Sequence, residues 1–141
     1  MSVRILIVED YEPFRRFVCS ALGKRAELQV IGEVSDGPEA VEKAEELKPD
    51  VILLDIRLPT LDGIEVARRI HELAPESKII FPSMEYSIDV VQEALSLGAL
   101  GYIEKLSSAA EILSAVEAVC RGNPYVSLSH LPPQRRTCVG P

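Results

Sequence analysis

Residues 51–63 read Val-Ile-Leu-Leu-Asp-Ile-Arg-Leu-Pro-Thr-Leu-Asp-Gly, an aliphatic run that ends on a carboxylate and then meets a proline and a glycine. So short an apolar run, bounded by turn residues, is the pattern of a strand buried on both faces, and such strands belong to parallel sheets covered by helices. Asp is a poor strand residue. Asp55 is therefore read as standing at the tip of the strand, and a core strand that ends on one acid asks for a chemical reason.

The rest of the chain repeats the theme. Residues 3–8 form a strand-like run ending on Glu9-Asp10, and residues 13–22 place Phe14, Phe17, Val18, Ala21 and Leu22 at helical spacing. Residues 28–34 read as a second strand, and Pro38 opens a helix with Ala40, Val41, Ala44 and Leu47 on one face. Beyond Asp55, Asp62-Gly63 leads into a helix that turns Ile64, Ala67, Ile70 and Ala74 inward. Residues 78–81 are a fourth strand, residues 87–97 a helix stopped by Gly98, and residues 100–103 a fifth strand. A Ser108-x-x-Glu111 capping box opens the last helix, with Ile112, Leu113, Val116, Val119 and Cys120 inward. Five strands alternating with five helices predict an α/β fold: a parallel sheet with helices on both faces, joined by right-handed crossovers.

Composition narrows the class. With 141 residues, 47% hydrophobic and 26% charged, the chain suits one soluble domain with a real core. Lys and Arg number 15 against 22 Asp and Glu, a net charge of −7. That sign argues against holding nucleic acid or an anionic membrane by bulk charge. No apolar run approaches a membrane span and no basic-then-apolar leader opens the chain, so a soluble, cytoplasmic protein is expected. Cys19, Cys120 and Cys138 are odd in number and far apart, and read as reduced thiols rather than disulfides or metal ligands.

In doubly wound sheets, chemistry gathers beyond the carboxyl ends of the strands. There this sequence places Glu9 and Asp10, Asp55, Ser83 and Lys105, from the first, third, fourth and fifth strands. Singly, each has a plain structural reading: a turn cap, a helix-terminus acid, a solvated lysine. Together they are three acids, a hydroxyl and an ammonium at one edge of one sheet. Packed acids repel unless a cation compensates, and Mg²⁺ is held by one or two protein carboxylates plus water and phosphate oxygens. A carboxylate is also a nucleophile that forms an aspartyl phosphate, and phosphoryl transfer needs positive charge placed around the moving oxygens.

The stretches "ILIVEDYEPFR", "VIGEVSDGPEAVEKAEELKPDVILLDIRLPTLDGIEVARRI", "KIIFPSMEY" and "EALSLGALGYIEKLSSAAEILSAVEAVCRG" resemble a bacterial two-component response regulator receiver domain, most of all its NarL/FixJ (LuxR-type) branch. The resemblance covers residues 3–122. It implies the flavodoxin-like (CheY-like) fold, a five-stranded sheet of order 2-1-3-4-5 with five helices. By position it makes Asp55 the phosphoacceptor and Glu9 and Asp10 the acidic pair for Mg²⁺ or Mn²⁺, Asp10 binding directly and Glu9 through water. Arg57 would lend the metal its backbone carbonyl, Ser83 and Tyr102 would be the switch pair, and Lys105 the phosphate-binding lysine. Pro59 and Gly63 would shape the loop after Asp55. The implied partner is a sensor histidine kinase, with a homodimer forming on phosphorylation. The implied protein is a signalling receiver rather than an enzyme, its chemistry limited to self-phosphorylation from phosphodonors and autodephosphorylation.

Two positions depart from the family pattern. Pro82 precedes Ser83 where most members carry an aliphatic residue; a proline in an internal strand removes a ladder donor, so the strand is expected to end at Phe81 or to bulge. Leu106 follows Lys105 where many members have a proline after a cis bond, and a cis bond before a non-proline residue costs about 3–4 kcal/mol, so trans is expected. Helix four carries Ile88, Val90, Val91, Ala94, Leu95 and Leu97, more apolar residues than one buried stripe needs, and is read either as presenting some of them to a partner or as packing them all on the sheet. His71 and His130 read as incidental.

Other readings fare worse. A haloacid-dehalogenase-type phosphatase would want a second Asp two residues after the nucleophile, where Arg57 stands. A nucleotide or flavin module would want a glycine-rich loop after the first strand, and "VEDYEPF" has no glycine. A phosphorylation-independent receiver acting by protein contacts alone usually lacks an acid or the lysine. Residues 123–141, with prolines and Arg135-Arg136, read as a linker or disordered tail, too short for a helix-turn-helix. The chain is thus read as the receiver of a longer transcription factor, or else as a stand-alone receiver, and as binding no nucleic acid by itself.

Overall fold

Helix starts are written into the sequence as caps. The Asp36 carboxylate accepts the Glu39 N–H at 2.9 Å, Asp62 accepts that of Ile64 at 2.7 Å, and the Ser108 hydroxyl accepts that of Glu111 at 3.1 Å, each satisfying a first-turn donor. Pro13 and Pro38 occupy first-turn positions, where a missing N–H costs nothing. The chain, in a computed structural model, is described over residues 2–58, 61–84 and 88–127, the side chains of Ile88, Val90 and Ser127 apart. Pro59, His130 and Cys138 lie outside the described residues.

The elements run β1 (Val3–Val8), α1 (Glu12–Leu22), β2 (Leu28–Val34), α2 (Gly37–Leu47), β3 (Val51–Leu54), α3 (Gly63–Leu73), β4 (Lys78–Ser83), α4 (Ile88–Ser96), β5 (Gly101–Glu104), α5 (Ala109–Cys120) and β6 (Tyr125–Ser127). All pairings are parallel, in the order β2-β1-β3-β4-β5-β6. The expected 2-1-3-4-5 order is present, with one strand more.

Alternation along each strand divides the core in two. Leu6, Val8, Ile52, Leu54, Phe81 and Tyr102 pack with Ala40, Ala44, Val66, Ile70, Val91 and Ala94 of α2, α3 and α4. Ile5, Ile7, Val51, Leu53, Ile80 and Ile103 face Phe14, Val18, Leu22, Ile112, Val116 and Val119 of α1 and α5. This is why the inner strands read as unbroken apolar runs rather than alternating ones. Phe17, expected inward, is 40% exposed at the edge of α1.

Two expectations are corrected. β4 neither ends at Phe81 nor bulges: it continues through Pro82 to Ser83, in unbroken register with β5. Lys78 N bonds Asp50 O toward β3, whereas Ile79 O and Ser83 O accept from Leu100 N and Lys105 N toward β5. Peptide directions alternate along a strand, so the Pro82 nitrogen faces β3. There the pairing closes at Leu53↔Ile80, and the proline's missing donor shortens that ladder alone. The second correction is the tail boundary. Tyr125–Ser127, assigned by pattern to the linker or disordered tail, forms β6 on the outer edge of β5. No peptide bond among the described residues is cis, so the one before Leu106 is trans as expected.

Candidate functional site

Because the strands are parallel, their carboxyl ends meet at one edge. Glu9 and Asp10 follow β1, Asp55 follows β3, Ser83 ends β4, and Lys105 follows β5. Lys105 Nζ lies 2.9 Å from Glu9 Oε2 and 3.2 Å from Asp55 Oδ2, tying together residues 96 and 50 positions apart. Asp55 Oδ1 accepts the Arg57 N–H at 3.1 Å, and Glu9 Oε2 accepts the Tyr11 N–H at 3.1 Å. Asp55, Glu9 and Ser83 are buried, while Asp10 is exposed at the rim.

Gly63 sets the loop that follows Asp55. A Cβ there would sit 2.3 Å from the Asp55 carbonyl oxygen and 2.6 Å from Ile56 Cα, and the Gly63 N–H bonds Ile56 O at 2.7 Å. The start of α3 therefore lies directly on the backbone of the acid's own turn, a close approach open only to glycine.

Burial raises the pKa of Asp55, and the Lys105 charge only partly offsets it. Burial also raises that of Glu9, with the Asp55 charge adding to it and the Lys105 hydrogen bond opposing. Burial works to lower the Lys105 pKa, but the Glu9 bond and the Asp55 charge prevail and hold it above the ordinary lysine value. One ammonium thus faces two buried acids and a third at the rim. Suitable oxygens of Glu9, Asp10 and Asp55 all lie within 4.8 Å of one another, and the buried Glu9 Oε1 has no hydrogen-bond partner among the described residues. A crowded, under-compensated set of hard oxygens fits a divalent cation.

The sequence-expected residues are brought together, with distinctions. Arg57 reaches the site through its N–H to Asp55. Tyr102, expected to be the switch aromatic, is fully buried on the α4 side of the sheet, its ring 6.4 Å from that of Phe81. His71 is exposed on α3, and the Cys19 and Cys120 thiols are half-buried with raised pKa, held protonated first of all by burial. Pattern reading missed the neighbour of Lys105: its Nζ stands 5.3 Å from the centre of the Phe14 ring. Helical spacing marked Phe14 only as core, and no local signal ties it to a residue so far along the chain.

The family model described as the response regulator receiver domain matches residues 5–117. The chain is 39% identical over 122 residues to the transcriptional regulatory protein LiaR of Bacillus subtilis, covering 86% of this chain and 58% of that protein. It is 36% identical to the response regulator protein VraR of Staphylococcus aureus, with the same coverage. The chain thus spans 58% of the length of these curated relatives. Among solved structures, the signal receiver domain of the putative response regulator NarL from Mycobacterium tuberculosis superposes with a TM-score of 0.79 at 36% identity, covering 86% of this chain and 98% of that one. Among the described residues no helix is long and apolar enough to cross a membrane.

Proposed function

The chain belongs to the response regulator receiver domain family, and from that premise we propose that it is phosphorylated on Asp55 by a sensor histidine kinase, with Mg²⁺ or Mn²⁺ held by Glu9, Asp10 and Asp55. The observation that carries this reading is the buried Asp55 carboxylate at a strand tip, with Lys105 Nζ 3.2 Å away and two further acids around it.

One Asp55 carboxylate oxygen attacks the phosphorus of the donor's phosphohistidine. The P–N bond breaks, its electron pair returns to the ring nitrogen of a phosphohistidine protonated at its other nitrogen, neutral imidazole leaves, and Asp55 keeps the phosphoryl group as a mixed anhydride. Asp55 attacks as the carboxylate, the form that the Lys105 ammonium 3.2 Å away favours. Lys105, kept protonated by its two acids, donates to the arriving phosphoryl oxygens, and the Arg57 N–H steadies the carboxylate at Oδ1. When bound, the cation offsets the charge shared by the acids and the phosphoryl oxygens. Asp10 would ligate it directly, Glu9 through water, and Arg57 through its carbonyl. Ser83 would take a phosphoryl oxygen on its hydroxyl, coupling the group to β4 and so to Tyr102.

The output we assign is transcription, in the cytoplasm, through a DNA-binding domain beyond these 141 residues, with phosphorylation changing how copies of the receiver associate. The relatives' names as transcriptional and response regulators support this. The acidic balance, −7 overall, argues against a hold on DNA by bulk charge in these residues.

The test is intact mass after incubation with a small-molecule phosphodonor. The protein is expected to gain one phosphoryl group with Mg²⁺, none with a chelator, and none as Asp55→Asn. An unchanged parent mass with Mg²⁺ would contradict the proposal.

A further inference from the structure

Phe14 opens the buried face of α1, four residues after Asp10, and its ring lies in the core layer with Ile5, Ile7, Ile103 and Ile112. Apolar packing accounts for a large side chain there but not for its π face. Its neighbour gives that face a use. Lys105 Nζ is 5.3 Å from the ring centre, within the reach of a cation–π contact, and the lysine side chain is only 14% exposed. The Phe17 ring lies 6.4 Å from that of Phe14, tilted by 35°.

Resting on the phosphoacceptor reading of Asp55, we propose that Phe14 is a positioning residue for phosphoryl transfer: its ring holds the Lys105 ammonium, dry, on the Asp55 side of the cleft. The ammonium bonds Glu9 Oε2 at 2.9 Å and approaches Asp55 Oδ2 at 3.2 Å, and it must turn toward phosphoryl oxygens as they arrive. A hydrogen-bond acceptor on its remaining side would compete for it during that turn. A ring offers negative charge over a broad area without a fixed direction, so the ammonium can exchange carboxylate for phosphoryl oxygen and keep the contact. Because α1 follows directly on the Glu9-Asp10 pair, the ring and the acids are carried on one continuous stretch of chain.

The experiment grades the ring without changing its shape. Phe14 is replaced by mono-, di- and trifluorophenylalanine, and phosphorylation by a small-molecule donor with Mg²⁺ is followed beside the parent and Phe14→Leu. The maximal rate is expected to fall stepwise with each fluorine, and by about threefold to thirtyfold in Phe14→Leu. Phe14→Tyr, which keeps the ring, should recover the parent rate. In side-chain NMR the Lys105 methylene next to the nitrogen should be shifted upfield by the ring current in the parent and not in Phe14→Leu. Equal rates across the fluorinated series, with Lys105 resonances unmoved by Phe14→Leu, would overturn the proposal and leave Phe14 as filling. A parent that takes up no phosphoryl group would instead defeat the phosphoacceptor reading, and the NMR comparison would still decide the contact.

Discussion

Asp55 and Glu9 are acids held where their charge is costly. Both have raised pKa values, with burial the first cause, so the folded chain retains protons that the unfolded chain releases. Stability from these groups is therefore greatest at acid pH. It is lost as pH rises from the ordinary carboxylate range through the raised native values, and the cost is complete above them. Asp55→Asn keeps an oxygen for the Arg57 N–H and removes one charge. In chelator at neutral pH it is expected to raise Tm by at least about 3 °C, the shift that roughly 1 kcal/mol gives a domain of this size. Thermal scans should show the gain shrinking toward acid pH and shrinking again with Mg²⁺; an Asp55→Asn protein less stable than its parent at neutral pH would contradict this account of the cleft. At Gly63 the constraint is steric, since a methyl group would stand 2.3 Å from the Asp55 carbonyl oxygen. Gly63→Ala should cost at least about 1–3 kcal/mol in urea unfolding and slow phosphorylation, because the acid's own turn must move. The identities of these residues were open to sequence reading because strand tips announce themselves by broken apolar runs. The contacts were not: Lys105 meets Glu9 across 96 positions, and Phe14 meets Lys105 only because α1 and β5 close on the same edge.

The inner strands and the capped helices could be foreseen because their signals are local: aliphatic runs of four to six residues, and Ser108 or Asp36 just before a helical face. What escaped depends on the pairing partner. Pro82 argued for a break in β4, yet a proline harms only the side its nitrogen faces, and that side follows from register, which sequence does not display. Tyr125–Ser127 is too short to carry a period, and only the free edge of β5 makes it a strand. Val126 is buried in the α4-side core, and Tyr125 O–H donates to Glu111 Oε2 at 3.3 Å, joining β6 to α5. Val126→Ala removes about two buried carbon groups and should cost about 1.5 kcal/mol in urea unfolding. A loosely attached linker would show no change.

The molecule as a whole is a doubly wound sheet that gathers buried polar groups at the carboxyl edge of its strands. Val91 and Ala94 of α4 are buried, Leu95 is half-buried against the same core layer, and Leu97, just past the helix, is half-buried. If phosphorylation remodels the α4 face into a contact between copies, beryllofluoride with Mg²⁺ should raise the sedimentation coefficient of the parent and leave Asp55→Asn unmoved. No change in either would remove this surface as a dimer interface. The acid at the tip of β3 is the one proposed to react. An acyl phosphate is reduced by borohydride to an alcohol, so the phosphorylated protein can be trapped, digested and mapped by tandem mass spectrometry. The reduced side chain is expected at position 55 alone, and only after incubation with phosphodonor and Mg²⁺. A trapped label at Glu9 or Asp10, with Asp55 intact, would contradict the account.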